Sequence, residues 1–314
     1  MRIHPLLLSQ LYHFPMFMTK RRKIVFDNAM FILSVDIDVG SKKLAVLNNG
    51  KYDKDVSSHF GESLIGEVEE RIMPKFMDII NCFEIAVTFA IRGQMLEVDS
   101  SIIDLLQDSP VSHDIGAHGY YHRSFTEISQ NEAERELREI CLRMGRHSIF
   151  PKSFVFPRNR VAHLDLLKRY GYKCYRGPGG FLRDNMNIER CGALYNICPS
   201  MYISLGLNPF LFRRIVDLGI IKKSPLHFWL HLWNFGQDKE HIERNTNKIL
   251  VPILEYAKKK ERSGMLTFET MLSAAKKAEE SLNSLGLHET PIKPPLSYVD
   301  TSTVRLCTGM SSAI

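Results

Sequence analysis

Short apolar runs alternate with helix-period segments along most of this chain, and that alternation narrows the choice of fold more than any other feature. Met30 to Val35 (MFILSV) reads as a buried strand. A helical pattern then carries Ile65, Val68, Ile72, Phe76 and Ile79 at three- and four-residue steps, with Pro74 as an expected kink or break, before a second strand at Ile85 to Ala90. Ser129 and Glu132 have capping-box spacing, and Leu137, Ile140, Cys141 and Met144 follow on one face. A strand at Ser153 to Phe156 precedes a helix with Leu164, Leu167 and Tyr170, which Gly171 is suited to stop. Strands at Tyr172 to Tyr175 and Leu226 to His231 follow, then a helix carrying Ile249, Leu250, Ile253 and Ala257. A last strand at Met265 to Phe268 leads into a helix ending near Leu285.

This order calls for a parallel sheet covered by helices, either open and doubly wound or rolled into a barrel. About seven strands within residues 28–285 is nearer the size of a barrel. Residues 1–27 are set apart as an N-terminal extension. Residues 286–314, rich in Pro, Ser and Thr and without periodicity, are set apart as a tail.

Charge and cysteine usage exclude several classes. Lys and Arg number 41 against 35 Asp and Glu, a net +6 spread along the chain, and the densest basic run, Thr19 to Lys23, is short. A dedicated nucleic-acid binder would be far more lopsided, so no nucleic-acid partner is expected. The six cysteines form no C-x-x-C pair, which leaves out a zinc ribbon and a thioredoxin-like motif and points to a reducing compartment. No apolar stretch approaches the roughly 18 residues of a membrane span, and the basic run follows the N-terminal apolar groups where a signal peptide would place it first. A cytoplasmic location is the expectation. Phe210 to Ile221, apolar with Arg213 and Arg214 inside it, reads first as a buried helix and second as an interface or membrane-facing patch.

Four clusters hold residues suited to chemistry. Period two in the first strand sends Phe31, Leu33, Val35 and Ile37 to one side and Ile32, Ser34, Asp36 and Asp38 to the other. Two carboxylates sharing one face of a buried strand repel, and each resists desolvation, so they suit a cation or an arginine held between or beside them; a strand end facing open water is the plainer alternative. The second cluster is His113-Asp-Ile-Gly-Ala-His-Gly-Tyr-Tyr-His122, in which one helical turn would set His118 and His122 on the same side. With Asp38 they would make a two-histidine, one-carboxylate site with open positions, the donor set of catalytic rather than structural metal. His113 reads as a hydrogen-bonded histidine at a strand end. Third, Leu226 to His231 places His227, Trp229 and His231 on one side, with His231 opening toward Asp36. Fourth, Phe154-Val-Phe-Pro-Arg-Asn159 is an apolar strand ending in a polar turn, and Arg158 is placed to pair with a carboxylate, with a surface arginine as the plainer alternative.

At these clusters the chain resembles the polysaccharide deacetylases, the NodB-homology group of carbohydrate esterase family 4. The order matches over residues 28–285: the acidic strand end Ser34-Val-Asp-Ile-Asp38, then Ala86-Val-Thr-Phe-Ala90, Gly116-Ala-His-Gly-Tyr-Tyr-His-Arg-Ser-Phe125, the strand ending in Pro157 and the late His231. The resemblance implies a deformed (β/α)7 barrel of parallel strands surrounded by helices. It implies one divalent metal ion, usually zinc, held by Asp38, His118 and His122. Asp36 would be the general base, His231 the general acid, and Arg158 the partner that orients the base. Two departures stand out. Ile37 separates aspartates that are commonly adjacent, as in a subgroup that resembles peptidoglycan deacetylases and cyclic-amide hydrolases, and the usual arginine before the proline is replaced by Val155.

The implied activity is hydrolysis of a non-peptide C–N amide bond, removing acetyl from an N-acetylated sugar in a glycan or glycan precursor. Trp229, Tyr120 and Tyr121 are candidates for stacking on the sugar, with core or rim packing as the commoner fate of such aromatics. Two alternatives keep the same barrel: an allantoinase-like hydrolase of cyclic amides, and a carbohydrate-binding protein without turnover. The expected partner is the N-acetylated carbohydrate, with membrane contact arising only through a lipid-linked substrate and with homo-oligomerisation left open. The segment from Asn187 to Pro209 is a candidate recognition loop.

Overall fold

β1 (Ala29–Ile37) is buried along its whole length, as its sequence AMFILSVDI demands: a strand apolar on both faces must be covered on both. The computed structural model describes residues 24–38, 72–97, 100–178, 186–204, 207–232 and 239–285. After β1 come α1 (Met73–Cys82), β2 (Thr88–Ile91), a 3-10 turn (Gly93–Glu97), α2 (Ser101–Gln107), β3 (Asp114–Ala117), α3 (Gln130–Gly145), β4 (Ser153–Val155), α4 (Leu164–Arg169) and β5 (Cys174–Arg176). They are followed by β6 (Ile188–Cys191), β7 (Leu194–Ile197), β8 (Met201–Tyr202), α5 (Pro209–Ile221), β9 (Pro225–His231), α6 (Lys239–Asn245), α7 (Val251–Arg262), β10 (Leu266–Glu269) and α8 (Met271–Ser284).

The strands form one ten-stranded sheet in the order β6-β7-β5-β4-β3-β2-β1-β9-β8. β10 joins the first half of one edge of β1, from Ala29↔Leu266 to Ile32↔Glu269, and β2 takes over from Ser34↔Thr88. All pairings are parallel except the β6–β7 hairpin. The result is a curled half-barrel of parallel strands surrounded by helices, a deformed (β/α) barrel. Among the described residues β6 and β8 do not pair to close it.

Alternation along β1 sorts the core into two. Phe31, Leu33, Val35 and Ile37 join the larger cluster with Phe76, Phe89, Phe228 and Ile253, while Met30 and Ile32 meet Met271, Ala274, Ala275 and Ala278 of α8. The small alanine face lets α8 lie close to the strands. Polar side chains fix its start: Met271 N–H donates to Thr88 Oγ1 at 2.8 Å and Leu272 N–H to Asp114 Oδ2 at 3.3 Å. A carboxylate at a helix N-terminus meets its unpaired amides, and Asp114 also accepts from Thr88 and Ser153 at 2.9 and 2.6 Å.

Local signals in the sequence translate directly. The Ser129–Glu132 capping box forms, and Gly171 closes the α4 turn with φ +80°. Pro74, expected as a kink or break, sits in the first turn of α1, where its missing N–H is no loss. Ile65, Val68, residues 1–23 and residues 286–314 lie outside the described residues. The recognition-loop segment contains β6, β7 and β8, none of which its short, mixed composition announces. The Phe210 segment is α5, but it is only half buried: Phe212, Val216 and Gly219 face the sheet while Phe210 and Ile221 face water. Among the described residues no helix is long and apolar enough to cross a membrane.

Candidate functional site

Parallel strands in a curled sheet bring their C-terminal ends to one mouth. Asp36 stands opposite His231 in the β1–β9 register and opposite Ala90 of β2, which in turn pairs with Gly116 of β3. Asp38 and His118 come two residues further along their lines, beyond the strand ends.

Asp38, His118 and His122 are all buried, and one donor atom from each lies within 4.8 Å of the others. The Nδ1 of His118 lies 2.8 Å from the Val155 carbonyl, which can only accept, so Nδ1 carries the proton and Nε2 presents its lone pair to the cluster. Burial pushes the His118 pKa down to about 4, which keeps the ring neutral and able to ligate at neutral pH. His122 Nε2 lies 3.5 Å from Asp38 Oδ2, and the two imidazole centroids are 4.8 Å apart. This donor set fits a divalent ion such as zinc with positions left open.

The two histidines do not share a helical turn. They meet because the backbone folds back through left-handed residues, Gly119 at φ +68° and His122 at φ 59°. A Cβ at Gly119 would sit 3.1 Å from Pro157 and 3.2 Å from Glu136. Glu136, fully buried on α3, pins the turn: Oε2 accepts from Tyr120 N–H at 2.8 Å and Tyr121 N–H at 3.1 Å, and Oε1 accepts from Arg123 Nε at 2.6 Å.

Asp36 is gripped by Arg176, whose Nη1 donates to Oδ1 at 2.7 Å while Nη2 donates to Oδ2. Burial pushes the Asp36 carboxyl up, but Arg176, with His118 and His231 behind it, more than offsets this and holds it below the usual carboxylate range. Arg176 is itself seated by Ser34 Oγ at 3.1 Å, Asn159 Oδ1 at 3.2 Å and the indole of Trp229, 4.4 Å from its guanidinium. Behind Ser34 stands His227, with Nε2 2.9 Å from Ser34 Oγ and Nδ1 donating to the Ile197 carbonyl at 3.0 Å.

His231 Nε2 lies 3.1 Å from Asp38 Oδ2 and 3.6 Å from Asp36 Oδ2. Burial disfavours its charged form, yet the two carboxylates outweigh that and raise its pKa, while burial of Asp38 is overcome by His231 and His122, which hold that carboxyl far below the usual range. Arg92, at the end of β2, donates from Nη1 to the Asp38 carbonyl at 3.4 Å and from Nη2 to Gln94 at 2.8 Å, holding the chain where β1 ends.

The structure thus brings Asp36, Asp38, His118, His122 and His231 together and leaves Arg158 out. Arg158 is exposed in a turn at φ 58°, and the guanidinium on Asp36 comes from the next strand, β5. Trp229 is 6% exposed and occupied by Arg176 and by Tyr202, 4.3 Å away between centroids, so it braces Arg176 rather than offering a face to a sugar. Tyr121, 45% exposed beside Arg123, is open to contact, whereas Tyr120 is buried with its hydroxyl on Glu97. His113 accepts from Val87 N–H at 3.3 Å in a structural role. Arg176 and Glu136 escape the sequence reading, though each had a signal: a cation ending the buried run Cys174-Tyr-Arg176, and an acid beside Leu137 on an apolar helix face.

No protein-family model matches the chain, and no curated protein matches it in sequence. Solved structures do match. A protein assigned as a polysaccharide deacetylase from Mycobacterium smegmatis superposes with TM-score 0.64 at 13% identity, covering 87% of this chain and 97% of that one. One with the same assignment from Pseudomonas aeruginosa PAO1 gives 0.60 at 10% identity, covering 83% and 93%. The Puue allantoinase gives 0.60 at 11% identity, covering 83% and 92%. The likeness lies in the fold.

Proposed function

We propose that this chain, which has the polysaccharide-deacetylase fold, is a metal-dependent hydrolase of non-peptide C–N amide bonds that removes acetyl from an N-acetylated sugar of a glycan or glycan precursor. The observation that carries this reading is a buried carboxylate, Asp36, fixed by Arg176 and 3.6 Å from His231, beside the cluster of Asp38, His118 and His122.

A divalent ion held by Asp38, His118 and His122 would polarise the amide carbonyl and acidify a water at an open position. Asp36 accepts the proton of the attacking water. Arg176 occupies one lone-pair direction on each of its oxygens and leaves the others free. His231, whose protonated form the neighbouring carboxylates favour, donates to the departing nitrogen as the C–N bond breaks. After the amine leaves, Asp36 gives up the captured proton and His231 is reprotonated, which restores both groups. Arg176 holds the base at one angle throughout.

The same residues would open a cyclic amide, and the allantoinase match at TM-score 0.60 favours keeping that as the second reading. The five cysteines among the described residues are free thiols, which supports a cytoplasmic setting. The deciding experiment measures acetate release from N-acetylglucosamine oligomers and lipid-linked N-acetyl sugars, and ring opening of cyclic ureides, with zinc added. Acetate release supports the sugar reading, and turnover of ureides alone overturns it.

A further inference from the structure

α5 carries large apolar side chains on its outward face as well as on its inward one. Phe212, Val216 and Gly219 pack on the sheet, and Gly219 lets the helix settle onto Leu226, whose side chain would lie 2.5 Å from a Cβ there. That contact satisfies the fold. Yet Phe210, Leu211, Leu218 and Ile221 remain 65, 51, 40 and 79% exposed. Ten large hydrophobics are exposed among the described residues, and these four share one helix while the other six lie on separate segments, so chance scatter does not account for them. At 3.6 residues per turn the four occupy an arc of about 100°.

Charge on the same face identifies what would cover it. Arg214 lies within the arc with its guanidinium 5.0 Å from the Phe210 ring, Arg213 and Lys222 flank it, and Lys223 follows, all exposed. The one acid on the helix, Asp217, is tied to Lys260 at 2.8 Å and to the Tyr256 hydroxyl at 2.7 Å. An aliphatic and aromatic centre with a basic fringe, the helix's one acid being paired, is complementary to the boundary between acyl chains and anionic headgroups. A second copy of this chain fits worse, because a self-complementary contact would press the four cations of each copy against those of the other.

We propose that the outer face of α5, centred on Phe210, Leu211, Leu218 and Ile221, docks this protein on an anionic lipid surface. The proposal is independent of the reaction assigned above. Its test is sedimentation of the full chain with vesicles of phosphatidylcholine alone and of phosphatidylcholine with phosphatidylglycerol. The protein should pellet with the anionic vesicles only and be released as salt approaches about 0.5 M. The Leu218→Glu/Ile221→Glu variant should bind at least about tenfold more weakly, and Arg214→Glu/Lys222→Glu should do the same. These side chains face water, so unchanged circular dichroism and melting temperature would show that the variants fold. Absence of pelleting, equal binding to neutral vesicles, or binding that survives both variants overturns the proposal. So does a doubling of mass in light scattering that the first variant abolishes, which would assign the face to self-association. Hydrolysis of a soluble substrate should be unchanged in both variants, so a failure of either assignment is read separately.

Discussion

Arg176 reaches from the end of β5 to grip both carboxylate oxygens of Asp36 on β1, with neither residue more than 3% exposed. An isolated buried carboxylate would take up a proton and could not act as a base, so this pairing keeps Asp36 ionised as well as oriented. Lysine keeps the charge and loses the planar fork. Arg176→Lys should therefore lower kcat by about 100-fold with little change in bound metal. Arg176→Ala leaves Asp36 uncompensated and should destabilise the fold by about 3–5 kcal/mol in urea titrations. Arg158→Ala, at an exposed turn, should leave both properties near wild type, and a large loss there would return the orienting role to Arg158.

Metal content and turnover should separate along the lines the geometry draws. Asp36→Asn should reduce turnover by about 100-fold or more while zinc, measured by elemental analysis of the dialysed protein, stays near one per chain. His118→Ala should lose zinc and turnover together. Retained zinc in that variant would remove His118 from the ligand set.

Glu136 touches no donor atom of the cluster, yet it holds the two amides between His118 and His122. Glu136→Gln replaces one acceptor oxygen with an amide nitrogen and weakens the anchor to Arg123. Zinc affinity by competition titration should fall about 10–100-fold, the range seen when groups that orient ligands are changed. Unchanged affinity would mean that the turn holds its shape through Gly119 and Pro157 alone.

Much of this site was legible because it depends on periodicity. Asp36 and Asp38 share a face of β1 by strand alternation, and the apolar run around them places that face in the interior. Contacts between distant strands are what the sequence does not reveal. Arg158 and Arg176 both end short apolar runs, and only the curl of the sheet determines which one reaches Asp36. Four-residue spacing suggests that His118 and His122 meet on a helix, and the chain instead brings them together through two left-handed residues. β6 and β7 interleave polar with apolar residues (IERC, LYNI) and β8 has only two, so they lack the apolar run that marks the equally short β4.

His227 gives the fold a predictable response to acid. Burial, reinforced by the charge of Arg176, pushes its pKa down to about 3 from the ordinary 6.5. Its ring donates to Ile197 and lies in hydrogen-bond reach of Ser34, and Ser34 in turn accepts from Arg176. Well above pH 6.5 the ring is neutral in both folded and unfolded chains and contributes no pH dependence. Below that, the unfolded chain binds a proton that the native state refuses, so stability declines as pH falls toward about 3. Between pH 7 and 5 this one group should remove about 2 kcal/mol. Asp36 and Asp38, both shifted downward from 3.8, contribute only below that window. His113 and His118, both pushed down to about 4 by burial, act in the same sense, while Asp114, raised by burial, and His231, raised by its carboxylate neighbours, act in the opposite one; all four are common to any pair of variants compared. Urea unfolding at pH 7 and 5 should show His227→Gln losing less stability over the interval than the wild type. Parallel losses in the two proteins would mean that the native state accommodates a charged ring at this position.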